Sequence, residues 1–241
     1  MTLVNPSEKL ILALDGMDVL EALSFIDKVP DLIWVKVGLE LFATSGLEIF
    51  TELRARGKKV FLDLKFHDIP NTMAGACYRA ARNGAELITV HACAGSKALL
   101  VANEAAKKGA ASVGLPSPTL LGVTVLTSWT SYEFGDELDI HHSLEKRVEH
   151  LAQLAFKAGL GGCICSPCEV KRLREIFPES FELITPGIRF LDSGLDDQAR
   201  VMQPRDAFTS GASRLVLGRI ITRSTNPAEA FTRVCRDIQT D

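Results

Sequence analysis

Short apolar runs, many of them β-branched, alternate along the chain with longer stretches in which apolar residues recur at helical spacing. The runs lie at residues 10–14, 33–37, 60–64, 87–91, 121–126, 162–165, 182–185 and 214–218. They are nearly continuous in apolar character, as a strand reads when both of its faces are buried under helices in a parallel sheet. Helical spacing is clearest over 19–29, 46–56, 71–83 and 143–158. Eight such strands interleaved with helices predict an α/β protein, a (β/α)₈ barrel forming one domain over 1–241. Periodicity does not prove closure, so an open doubly wound sheet is the alternative. Two polar stretches, 128–142 and 189–199, follow the fifth and seventh strands. The first reads as a loop with a short helical turn. In a barrel both lie at the carboxyl ends of the strands, where sites are built.

Length and charge narrow the picture. A chain of 241 residues suits a barrel, since these run to about 250 residues as one domain. A net charge of −3 gives no basic footprint for nucleic acid. No run approaches the roughly 20 apolar residues of a membrane span, and the first residues lack the pattern of a signal peptide. Cys77, Cys93, Cys163, Cys165, Cys168 and Cys235 are expected to be free thiols in a reducing compartment, the cytoplasm. The cluster Cys163, Cys165 and Cys168 lacks the paired spacing of a zinc site, so no metal is expected there.

The chemistry concentrates in Asp63-Leu64-Lys65-Phe66-His67-Asp68-Ile69-Pro70-Asn71-Thr72, directly after an apolar strand. Strand alternation puts Asp63 and Lys65 on one face. Asp68 follows on a turn, where Pro70 is expected to end regular structure. An acid, an ammonium group and a second acid on one rim are costly to desolvate, and the flanking carboxylates are expected to keep Lys65 charged. Other polar residues fall at the same rim. Asp15 closes the first strand, although it also fits an N-cap for the helix near Val19. Lys36 interrupts the apolar second strand; pointing inward it needs a partner or a ligand, and pointing outward it snorkels. His91 ends the fourth strand and Thr127 the fifth. Thr185-Pro186-Gly187-Ile188-Arg189 and Leu217-Gly218-Arg219-Ile220 end the seventh and eighth, a common place for phosphate in barrels. The stretch Ser224-Thr225-Asn226-Pro227 then starts the last helix.

These segments, with Leu12-Ala13-Leu14-Asp15, Val35-Lys36-Val37-Gly38 and Val123 through Ser128, closely resemble the bacterial-type orotidine 5′-phosphate decarboxylase family over essentially the whole chain. The resemblance implies a (β/α)₈ barrel acting as a homodimer with sites shared across the interface. It implies conversion of orotidine 5′-monophosphate to uridine 5′-monophosphate, the last step of de novo pyrimidine synthesis, without metal or organic cofactor. By the same resemblance Lys65 is the proton donor, Asp63 lies beside the substrate carboxylate, and Asp68, Ile69 and Thr72 enter the neighbouring subunit's site. Asp15 and Lys36 contact the ribose, and Thr127 or its neighbour Ser128 meets the pyrimidine. Arg219, the Gly218 amide and Gln198 hold the phosphate, with Arg189 close by.

Two other readings are open to the same motif. Sugar-phosphate decarboxylases and hexulose-phosphate synthases resemble this fold and share the Asp-x-Lys-x-x-Asp spacing, but use Mg²⁺ held by a glutamate in the second strand. This chain has Lys36 there, which repels a divalent cation. A barrel that only binds nucleotides gains nothing from a carboxylate aimed at an anionic ligand, so the intact acid–base–acid motif disfavours it.

Overall fold

The computed structural model describes residues 5–190 and 200–239. Eight parallel strands close into a barrel in chain order: β1 (Leu10–Ala13), β2 (Trp34–Val37), β3 (Lys59–Phe66), β4 (Ala85–His91), β5 (Thr119–Val123), β6 (Gly162–Ile164), β7 (Glu182–Thr185) and β8 (Arg214–Leu217). Each matches one of the apolar runs in the sequence, and closure rules out the open sheet. The run 121–126 outlasts its ladder because β6 ends at Ile164. There the Thr124 hydroxyl and amide both turn to the Ile164 carbonyl, at 2.8 and 3.2 Å.

Burial separates the two faces of the strands. Ile11, Ala13, Trp34, Phe61, Leu87, Leu121, Ile184 and Val216 form one buried cluster. The residues between them, such as Leu10, Leu12, Val35, Val60, Leu62 and Ile88, pack in a second and larger cluster with the helices. The first is the filled barrel interior and the second the layer between sheet and helices. At the amino ends of the strands, the Arg214 guanidinium lies 4.5 Å from the centre of the Trp34 ring and the Lys59 ammonium 5.2 Å. The indole N–H donates to Glu8 at 3.0 Å, so that end is plugged by an aromatic ring held between cations.

The helices follow from local signals. Helix Val19–Asp27 is capped by Asp18 in a reciprocal box with Glu21, so Asp15 is not its cap. Pro70 does not end regular structure. It occupies the first turn of helix Pro70–Arg82, where its missing N–H costs nothing. The polar stretch after β5 contains helix Ser131–Glu137, and Asn226 caps helix Pro227–Asp237. Helix Ser96–Ala111 packs so closely on Pro70–Arg82 that a Cβ at Gly109 would run into the Tyr78 carbonyl oxygen. Among the described residues no helix is long and apolar enough to cross a membrane.

Gly109→Ala should therefore destabilise the fold by about 1–3 kcal/mol, because a backbone oxygen cannot rotate away as a side chain can. An unchanged urea midpoint for this variant would contradict that close approach.

Candidate active site

A cleft of about 490 Å³ opens at the carboxyl ends of the strands. Its floor holds four charges in alternation. Lys36 Nζ lies 2.8 Å from Asp15 Oδ1 and 3.5 Å from Asp63 Oδ2, and Lys65 Nζ lies 2.9 Å from the same Asp63 oxygen. The order is thus Asp15, Lys36, Asp63, Lys65. Register accounts for part of it, because β2 pairs Lys36 with Ala13 on one side and Phe61 on the other. This puts Lys36 between the strand ends that carry Asp15 and Asp63. Lys36 points inward and is buried, so the snorkelling alternative does not apply. Gly38 leaves the space this needs: a Cβ there would meet the Asp15 carboxylate and the Lys36 ammonium.

Asp63 and Lys65 meet as alternation predicts, but not through regular strand geometry. Between β3 and β4 the register passes from Leu62 opposite Ile88 to Phe66 opposite Val90. Four steps on β3 face two on β4, which is a bulge. Lys65 sits in it at φ 49°, a left-handed conformation that a non-glycine residue rarely adopts and that clusters at functional sites. The Lys65 amide donates to Thr89 Oγ1 at 2.9 Å, and the Thr89 hydroxyl donates to Asp63 Oδ1 at 3.0 Å.

Burial pushes the Asp63 carboxyl up, but Lys36, then Lys65, and hydrogen bonds from Lys65 and Thr89 outweigh it and hold the group below its ordinary range. Burial pushes the Lys36 ammonium down, and the charges of Asp63 and Asp15 more than reverse this. Lys36 is thus the ammonium raised by flanking acids. Within its own chain Asp68 does not flank Lys65: it is exposed, and its Oδ1 accepts the Ile69 amide at 2.6 Å. Within one chain the alternating array draws its other members, Asp15 and Lys36, from β1 and β2. His91 is lowered, chiefly by burial and then by His67 and Lys65; its ring lies 5.3 Å from that of His67.

The other rim of the cleft brings together Thr127, Pro186, Gly187, Arg189, Gly218 and Arg219. Thr127 lines it and Ser128 is absent from the described lining. Asp68, Ile69 and Thr72 stand outside, exposed; Ile69 is 67% exposed despite its apolar side chain. Gln198 lies outside the described residues, as does most of the stretch 189–199. A larger groove, about 990 Å³, continues past Arg189 and Arg219 toward helix Pro227–Asp237. The smaller cleft is the candidate site because it alone of the two holds the alternating charges, with Lys36 and Asp63 buried.

The sequence reading missed three contributors. Thr89 is one, hidden in an apolar run. Glu40 is a second: it lines the cleft and accepts the Gly16 amide at 2.7 Å, fixing the turn after Asp15. The third is Arg200 with Glu169. Arg200 pairs with the buried Glu169 carboxylate and donates to the Leu126 carbonyl at 3.1 Å, next to Thr127. The other Glu169 oxygen accepts the Ser166 amide at 2.8 Å.

The model of the orotidine 5′-phosphate decarboxylase / HUMPS family matches residues 8–234. The chain belongs to that family. A Prochlorococcus marinus protein named orotidine 5′-phosphate decarboxylase is 60% identical, over 97% of this chain and 98% of its own. One of the same name from Synechococcus sp. (strain CC9902) is 57% identical, over 98% and 97% respectively. Among solved structures, orotidine 5′-phosphate decarboxylase from Lactobacillus acidophilus superimposes with a TM-score of 0.85 at 34% identity, covering 96% of this chain and 99% of its own. An uncharacterised protein from Geobacillus kaustophilus reaches 0.83 at 33% identity, over 95% of this chain and 100% of its own.

The charge array sets a test of its own. Asp63 is held below its unfolded value, so the stability it contributes is present above about pH 4 and fades as pH falls through the folded value. Lys36→Met leaves two carboxylates, Asp15 and Asp63, with Lys65 as the array's one remaining ammonium, and should cost about 3 kcal/mol at pH 7. The penalty should shrink below about pH 4, where the stranded acids take up protons. Urea titrations of parent and variant that differ equally at pH 7 and pH 3 would refute this electrostatic account.

Proposed function

We propose that this chain removes CO₂ from orotidine 5′-monophosphate and leaves uridine 5′-monophosphate. The observation that carries the reading is the Asp15–Lys36–Asp63–Lys65 array, buried at Lys36 and Asp63, on the floor of a cleft whose rim also presents Gly218, Arg219 and Arg189. The family and the names of its close relatives support it.

Loss of CO₂ from C6 of the pyrimidine leaves an electron pair in the ring plane, with no neighbouring carbonyl to spread it. Stabilisation must come from outside the ring, and catalysis of this kind draws on the upper part of the range enzymes reach, about 23 kcal/mol. A fixed cation aimed at the developing charge costs no reorganisation. Lys65 is that cation; it then delivers its proton to C6, and Asp63 beside it crowds the departing carboxylate. Asp15 and Lys36 hold the ribose, Thr127 the pyrimidine, and Arg219, the Gly218 amide, Arg189 and Gln198 the phosphate. Phosphate binding far from the bond that breaks is spent on orienting the reacting end and excluding water.

The array also speaks against Mg²⁺ chemistry. A divalent cation between Asp15 and Asp63 would have to displace Lys36, which already pairs with both. We therefore assign no metal and no organic cofactor. Asp68, Ile69 and Thr72 are assigned to the site of a second copy, a homodimer with shared sites; their exposure outside their own cleft supports this. One domain over 1–241 and a cytoplasmic location complete the reading, the latter supported by free thiols at all six cysteines.

Purified protein in EDTA should deplete the absorbance of orotidine monophosphate, and Lys65→Ala should abolish that loss. No turnover by folded parent protein would overturn the assignment, and turnover only with added Mg²⁺ would favour the sugar-phosphate chemistry. Mixing inactive Lys65→Ala with inactive Asp68→Asn tests the shared site. Random pairing makes half the dimers mixed, each with one intact site of two, so about one quarter of parental activity should return. No recovery after subunit exchange would place Asp68 in its own subunit's site.

A further inference from the structure

We propose that Thr89 is a positioning residue for the decarboxylation centre: its single hydroxyl fixes both the Asp63 carboxylate and the backbone of Lys65. This rests on the reaction proposed above and extends it to a residue outside the Asp-x-Lys-x-x-Asp motif. Thr89 is fully buried in the middle of β4. Its hydroxyl has one proton to give, and the polarity of its two contacts is forced. The Lys65 amide only donates, and an ionised carboxylate only accepts. The proton therefore goes to Asp63 Oδ1, 3.0 Å away, and the oxygen receives the Lys65 amide at 2.9 Å.

Two consequences follow. The first concerns the carboxylate, whose oxygens are divided between different partners. Oδ1 takes the hydroxyl, while Oδ2 takes Lys65 Nζ at 2.9 Å and Lys36 Nζ at 3.5 Å. A carboxylate anchored at both oxygens cannot rotate, so the edge it presents to the cleft is set. The second concerns the bulge. Where β3 carries its extra residues opposite β4, the Lys65 amide bonds to the Thr89 side chain, and that bond holds a lysine at φ 49°. The same hydroxyl thus fixes the root of the Lys65 side chain, while Asp63 fixes its tip. Valine matches threonine in shape and strand preference but has no hydroxyl, which separates this role from packing.

The experiment measures kcat and KM for orotidine monophosphate in Thr89→Val, Thr89→Ser and the parent, with urea midpoints for each. Thr89→Val should lower kcat by about 100-fold, the cost of a displacement near 1 Å at the reacting groups, with KM little changed. Thr89→Ser should recover most of the loss. The acid limb of kcat/KM should also move to higher pH in Thr89→Val, because Asp63 loses a donor that favours its ionised form. The charged and titratable groups facing Asp63 remain in place: Lys36 on β2 with Asp15 behind it, Lys65 on β3, and His91 further along β4. A parental kcat in Thr89→Val, equal impairment of the valine and serine variants, or an unmoved acid limb would each overturn the proposal. If Thr89→Val does not fold, Thr89→Ala against Thr89→Ser supplies the same contrast. An inactive parent would instead remove the decarboxylase reading itself.

Discussion

The Asp63 carboxylate is the constraint around which the top of this barrel is built. It is 8% exposed, and an isolated carboxylate in such a place carries a desolvation penalty of several kcal/mol. Its partners come from three neighbouring strands: Lys36 from β2, Lys65 from β3 and Thr89 from β4. To satisfy one acid, the ends of three strands must hold fixed positions relative to one another. Several local oddities then have a common cause. Gly38 has no side chain because the Asp15–Lys36 pair occupies that space. β3 bulges, and Lys65 takes a left-handed conformation, so that an amide and an ammonium of one residue reach different members of the same network.

The two ends of the barrel divide stability from chemistry. At the amino ends, Trp34 is packed between Lys59 and Arg214 and tied to Glu8, with Arg214 also paired to Glu182 at 2.7 Å. The charges around the ring pair with one another, Lys59 with Glu8 and Arg214 with Glu182. At the carboxyl ends the charges are also paired, but on the floor of a cavity, where pairing costs more than it returns unless a ligand makes use of it. Near that cavity, Arg200 ties Glu169 beyond β6 to the carbonyl of Leu126 beyond β5. Burial pushes the Glu169 carboxyl up, and Arg200 opposes this. A second buried acid thus braces the rim that carries Thr127.

Nearly all of the architecture was legible in the chain. Eight apolar runs became eight strands within two or three residues because parallel strands buried on both faces have little polar to blur them. Asp15, Lys36, Asp63 and Lys65 stood out because each breaks an apolar run or closes one. What the sequence could not convey was partnership. Strand alternation assigned Asp63 and Lys65 to one face, but the bulge that joins them depends on β4, and nothing local to β3 announces it. Asp68 was grouped with Lys65 through nearness in sequence, whereas Asp15 and Lys36 reach the array from other strands. Thr89 was invisible for a related reason: threonine is an ordinary strand residue, and only its position opposite the bulge gives its hydroxyl two partners. Arg200 and Glu169, 31 residues apart, meet only once the barrel closes.

Charge counting connects this arrangement to the proposed reaction. Asp15 and Asp63 carry two negative charges, and Lys36 and Lys65 two positive, so the array is balanced before substrate arrives. A substrate carboxylate placed beside Asp63 adds a third negative charge to a region with two cations. That state is disfavoured most where solvent is excluded. When CO₂ leaves, the negative charge does not vanish but moves to C6, toward the Lys65 ammonium and away from Asp63. In the proposed reaction, proton transfer from Lys65 then neutralises it. At each step the same fixed groups favour the next distribution of charge over the last, and none has to be reoriented. A site that served only to bind the nucleotide would be better off without Asp63. Retaining it, at the cost of a bulge, a left-handed lysine and a buried threonine hydroxyl, makes physical sense for a protein that has to expel the group bound beside it.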